Sequence, residues 1–178
     1  MDHQDVQALL EVAVLVHQLR ARSSVRACDE LRESNGDRTE FCLGGPWGGS
    51  NPRTGGHLAA HLPGVALLAG TPGSARTNAF RIGGESFSWS EEHQYALVAK
   101  FTPPTATRPV ILICGQTAIA NRAAVHLLKR DYRELTETLQ SVDRFCLVLR
   151  VESTAVYGHE AVNVERDVTE LAFRRLEA

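Results

Sequence analysis

The chain reads as a single three-layer α/β domain, with a mainly parallel sheet between helices and one mixed or antiparallel edge. Three observations carry that reading. Residues 109–114, Pro-Val-Ile-Leu-Ile-Cys, are apolar almost without interruption, as expected of a strand buried on both faces of a parallel sheet. Two apolar runs, 41–43 and 109–114, each lead through a glycine-containing turn into a segment with helical character. Strand, loop and helix in that order form the unit from which such sheets are wound. Between them, 79–101 holds strand-like pieces around Gly83-Gly84, a hairpin signal that supplies the antiparallel edge.

Taken in order, residues 4–22 form a helix, because Val6, Leu9, Leu10, Ala13, Val16 and Leu19 recur at helical spacing. Residues 25–33 extend it or make a second short piece, before a turn at Ser34-Asn35-Gly36-Asp37. Residues 39–43 are a strand. Asn51 caps the next helix and Pro52 occupies its first turn, where a missing N–H costs nothing. That helix stops before Pro63, and Gly55 and Gly56 each weaken it by about 1 kcal/mol relative to alanine. A short strand at 65–68, a loop over 70–78, a bent strand or hairpin at 79–89 and a strand at 95–101 follow. Residues 109–114 lead to a helix over 118–129 capped by Thr117, then a helical segment over 131–140, a strand at 145–151, a strand around 162–164 and a closing helical turn. β–α–β units are expected over 39–68 and 109–151. The whole of 1–178 is one domain, with 1–36 as a helical segment packed on it.

Composition excludes several classes. With 43% hydrophobic and 22% charged residues the chain has the balance of a globular domain. A net charge of −2 gives no global drive toward nucleic acid or a membrane surface. Lys129-Arg130-Asp131-Tyr132-Arg133 is mixed in sign and reads as a solvated helix end. The apolar stretch from Leu9 is interrupted by Glu11, His17 and Gln18, too short and too polar to span a bilayer. Four cysteines, Cys28, Cys42, Cys114 and Cys146, show no C-x-x-C spacing. Three lie in apolar runs, so reduced, buried thiols and a cytoplasmic setting are expected.

The candidate site is the pair of strand-to-helix loops. The first, 44–54, is Gly-Gly-Pro-Trp-Gly-Gly-Ser-Asn-Pro-Arg-Thr. Glycines let backbone N–H groups approach a ligand, and a helix start adds unsatisfied donors. If the two strands are neighbours, both loops face one crevice at the carboxyl edge of the sheet. The ligand-binding candidates are Gly44, Gly45, Ser50, Asn51, Arg53 and Thr54 from the first loop, and Gly115, Gln116, Thr117, Asn121 and Arg122 from the second. Arg53 and Arg122 have the fork geometry that binds phosphate or carboxylate, and their removal is expected to weaken anion binding with little loss of stability. The plainer alternative is that the glycine turns only join sheet to helix. Neither a Walker A lysine nor G-x-G-x-x-G is present. His57 and His61 share a helix face, but the sequence offers no third or fourth ligand, so no metal is assigned. Trp89-Ser90-Glu91-Glu92-His93 places carboxylates beside an imidazole, a weak acid–base signal.

Gly44-Gly45-Pro46 with Asn51, a Tyr-Ala-Leu-Val strand at 95–98, then Gly115, Thr117, Ala123 and Ala124 resemble, over roughly 39–130, a poorly characterised Rossmann-like domain of bacterial multidomain proteins, similar to signalling and defence modules. That resemblance implies an α/β fold with a ligand crevice and carries over no catalytic residue. Trp47-Gly48-Gly49 lengthens the first loop relative to it. Three functional expectations follow: a ligand-sensing or regulatory domain for a small anionic, nucleotide-like molecule; a nucleotide-cleaving enzyme (NADase- or nucleosidase-like) using Glu85, Glu91 or Glu92; or a protein-interaction module with purely architectural loops. No cofactor is assigned. A homo-oligomer, or a module of a larger protein, is compatible with the sequence.

Overall fold

The computed structural model describes residues 2–27, 36–47, 50–68, 78–139 and 142–175. Helix α1 (His3–Gln18) starts at Asp2, whose carboxylate accepts the Gln4 N–H at 2.8 Å. It ends at Gln18, four residues short of the expected limit at 22. Arg20 turns left-handed at φ 58°, and the Arg20 and Ala21 N–H groups bond back to the His17 and Val16 carbonyls, closing the helix with a Schellman cap. Residues 21–27 are not helical, and the rest of the proposed second piece lies outside the described residues.

The main sheet contains β1 (Glu40–Leu43), β5 (His93–Phe101), β6 (Val110–Gly115), β7 (Phe145–Glu152) and β8 (Val162–Asp167), in the order β1-β6-β5-β7-β8. A second, three-stranded sheet holds β2 (Val65–Leu68), β3 (Ala79–Ile82) and β4 (Glu85–Ser88). The helices are α2 (Pro52–His61) after β1, α3 (Ala118–Arg130) and α4 (Tyr132–Leu139) between β6 and β7, α5 (Thr154–Tyr157) and α6 (Thr169–Ala172).

This arrangement corrects the expected mainly parallel, Rossmann-like sheet. Only β1 and β6 pair in parallel; β5 with β6, β5 with β7, and β7 with β8 are all antiparallel. The presumed β–α–β unit over 39–68 does not return to the sheet it left, because β2 pairs antiparallel with β3 in the second sheet. In the unit over 109–151, β6 and β7 do point the same way, but β5 lies between them and runs against both. The physical reason for the misreading is burial. One face of the sheet packs Ala96, Val98, Ile113, Leu147 and Leu149 against Ala8 and Val12 of α1 and the alanines of α3. The other packs Leu97, Ala99, Phe101, Leu112 and Val148 against Leu58 and Leu62 of the α2 region and Phe80, Ile82 and Phe87 of the second sheet. A strand covered on both faces is apolar at every position whatever its direction, so the cue reports burial, not parallel pairing.

The hairpin at β3–β4 turns on Gly83 (φ 59°) and Gly84 (φ 86°), two consecutive positive φ values that a tight hairpin turn requires. At the far edge β8 buries Val162 and exposes the rest of the strand. Among the described residues no helix is long and apolar enough to cross a membrane.

Candidate functional site

Parallel pairing of β1 with β6 sets Leu43 beside Ile113, so the two candidate loops leave the sheet at the same end. They touch. A Cβ on Gly45 would lie 2.8 Å from the Gly115 carbonyl and 2.4 Å from the Trp47 ring, and one on Gly115 would lie 2.6 Å from the Asn121 N. These glycines are needed for loop-to-loop and loop-to-helix approach, a demand met entirely inside the chain.

The polar side chains between the loops are spent in the same way. Asn51 donates from Nδ2 to the Leu43 carbonyl at 2.7 Å and accepts the Thr54 N–H at Oδ1, capping α2. Thr54 Oγ1 donates to the Gly44 carbonyl at 2.6 Å, and Ser50 Oγ to the Gly45 carbonyl at 2.6 Å. Across the gap Asn121 Oδ1 accepts the Gly115 N–H at 2.6 Å, while its Nδ2 donates to Asp5 of α1 at 2.9 Å. Gln116 is a clamp between the two sheets. Its Nε2 donates to the Asn78 and Phe87 carbonyls at 2.9 and 2.8 Å, and its Oε1 accepts the Tyr95 N–H at 2.9 Å. Both amide donors are used, so the buried group is satisfied. Thr117 caps α3 through the Ala120 N–H and donates to Gln94. Arg122 reaches Glu11 Oε1 at 3.2 Å and Gln4 Oε1 at 3.0 Å, tying α3 to α1.

Arg53 points beneath α2 rather than into the gap. Its Nε and Nη2 donate to the two oxygens of Glu40 at 2.8 and 2.6 Å, a bidentate pair. His57 Nε2 lies 3.0 Å from Glu40 Oε1. The local sequence explains this. Arg53 and His57 are four apart, hence neighbours on one helix face, while Glu40 and Cys42 are two apart, hence on one strand face. Burial pushes the Glu40 carboxyl upward, but the hydrogen bonds and positive charge of Arg53 and His57 outweigh it and hold the group at about 2. Burial pushes the Cys42 thiol up to about 11, partly countered by its contact with Thr54 Oγ1 at 3.3 Å. Such a thiol stays protonated and is a poor nucleophile.

Glu40, Cys42 and His57 bring three potential ligand atoms within 4.8 Å of one another. Both Glu40 oxygens already serve Arg53, so a metal ion would have to displace a guanidinium held by two charge-assisted bonds. The donor set fits an internal cation better than an added one. Sequence reasoning missed Glu40 and paired His57 with His61 instead. His61 packs its ring on Phe101 at 4.9 Å, and burial lowers its pKa. The available signal was a glutamate opening a strand that is otherwise apolar.

The acidic candidates do not join this constellation. Glu85, at the start of β4, pairs with Arg166 of β8 at the surface. Glu91 and Glu92 are exposed in the turn before β5, where the Glu92 carbonyl accepts the Ser153 N–H at 2.7 Å. Ser90 Oγ accepts the His93 N–H at 3.1 Å and lies 3.1 Å from His93 Nδ1, so that polar run organises a turn. The chain matches no family model, no curated protein and no solved structure.

Proposed function

We propose that this chain is a protein-interaction module whose glycine-containing loops are architectural. The observation that carries the reading is that the eight polar side chains singled out on the two loops all bond within the chain. A site prepared for an anion keeps donors aimed at the ligand; here the two arginines are neutralised by Glu40 and Glu11. The module reading also draws on the apolar residues that α1 leaves exposed, Val6, Leu10 and Val14.

One observation favours a second reading, a small ligand at the loop junction. The Trp47 indole Nε1 is buried without a hydrogen-bond partner among the described residues, on a ring whose Cε3–Cζ3 edge packs against Gly45. A ligand acceptor there would satisfy it. Titration of nucleotides and phosphorylated metabolites, followed by tryptophan fluorescence and calorimetry, separates the two. The module reading expects no saturable signal. A hit that is lost in Trp47→Phe, with the variant still folded, overturns it in favour of the ligand site.

A further inference from the structure

Within α1 the exposed residues are His3, Val6, Leu10, Val14 and His17, with Gln18 at the end. The opposite face is committed: Ala8 and Val12 are buried in the core, Asp5 is held by Asn121, and Glu11 is held by Arg122. Steps of three, four, four and three residues place the five exposed side chains in one ridge. Val6, Leu10 and Val14 are 41%, 60% and 49% exposed. A lone exposed apolar residue is ordinary, but three in a contiguous row signal a contact surface.

The ridge has a property that a generic partner would not require. It reads His-Val-Leu-Val-His in both directions about Leu10, in residue type and in spacing. A two-fold contact brings residue i to j and j to i; centred on Leu10, this ridge sets leucine on leucine and valine on valine, with a histidine pair at each end. The ends of α1 agree. Asp2 lies exposed at its start, and Arg20 and Arg22 lie exposed just beyond its end, while the two histidines fall one at each end. Antiparallel packing sets the acidic end of one helix beside the basic end of the other and opposes the helix dipoles. Parallel packing would stack like on like.

We infer that the His3–Val6–Leu10–Val14–His17 ridge binds a second copy of this chain, with α1 antiparallel to α1 about a two-fold axis at Leu10. Leu10 then meets the partner's Leu10, and Val6 meets the partner's Val14. The contact is narrow, so association is weak and concentration-dependent. The inference rests on the interaction-module reading and names its partner.

The test combines sedimentation equilibrium with site-specific cross-linking in a Cys28→Ser background, since the other three thiols are buried. The wild type is expected to dimerise below millimolar concentration. Leu10→Lys is expected to be monomeric with an unchanged melting temperature, because Leu10 is largely exposed. Under mild oxidation Leu10→Cys is expected to cross-link to itself, whereas Val6→Cys and Val14→Cys cross-link only when mixed. A monomeric wild type at millimolar concentration, a dimer indifferent to Leu10→Lys, or Val6→Cys linking to itself would each overturn the inference. Those results leave the module reading open to a different partner. An anion bound at Trp47 would remove the module reading and leave the dimer measurement standing on its own.

Discussion

Glu40 is a carboxylate held largely out of water by two hydrogen-bonding partners, Arg53 and His57. Arg53→Ala strips the bidentate partner from a carboxylate that is only 10% exposed. Breaking such a pair is expected to cost about 3 kcal/mol, in contrast to the small stability change the sequence suggested for a solvated arginine. Urea denaturation reads this directly, and a Glu40→Leu/Arg53→Met double variant should recover most of the loss, because the buried charge then has no reason to exist. The same pair makes stability acid-sensitive. The folded carboxyl sits at about 2, below the ordinary 4.5. Its contribution is therefore complete above the unfolded value and is lost as pH falls through the window toward about 2. The size is on the order of 3 kcal/mol. Denaturation across that window should show the decline in the wild type and a flatter profile in Arg53→Ala. A wild-type profile already flat there would contradict the pairing.

At the scale of the element, the loop between β1 and α2 is held by Asn51, which closes both of its ends. Its carbonyl side caps α2 and its amide side holds the end of β1. Asn51→Ala removes the cap and leaves the Leu43 carbonyl without that donor, so a loss of about 2–3 kcal/mol is expected. Asn51→Asp keeps the acceptor and loses only the donor, so it should fall between wild type and alanine. Thermal melts of the three proteins check the ranking; equal destabilisation by Asp and Ala would assign the effect to the strand end alone. The second loop works by the same device through Asn121, whose two ends serve Gly115 and α1. Each asparagine sits at or near a helix start and reaches back to the strand before it.

Across the whole molecule, the two-faced burial of the main sheet decides what reagents can reach. Cys42, Cys114 and Cys146 are free and buried, one on each of β1, β6 and β7. Burial pushes Cys146 up to about 12 and Cys114 well above its ordinary value. A thiol reagent applied to the native protein is expected to label no more than Cys28, and all four after unfolding. Fast labelling of two or more in the native state would show that the sheet opens locally, and that its two helical and strand covers are less firmly seated than their packing implies.

Local chemistry in the sequence determined where the elements lie. Asn51, Pro52 and Thr117 mark the starts of α2 and α3, Gly83-Gly84 marks the β3–β4 turn, and the apolar runs mark β5, β6 and β7. Each of those signals acts within a few residues, through a cap, a φ value or a burial pattern. The short α5 carries no such signal and went unread. Strand direction was not legible, because β5 between β6 and β7 is apolar on both faces and such a run is the same read forward or backward. The candidate loops were legible as neighbours, but not as spent. Whether Arg53 faces a crevice or Glu40, and whether Gln116 waits for a ligand or clamps two sheets, depends on partners 13, 21, 29 and 38 residues away. Only the tertiary structure brings those partners into hydrogen-bond range, and at that range the identity of the partner, not the residue type, decides what the side chain does.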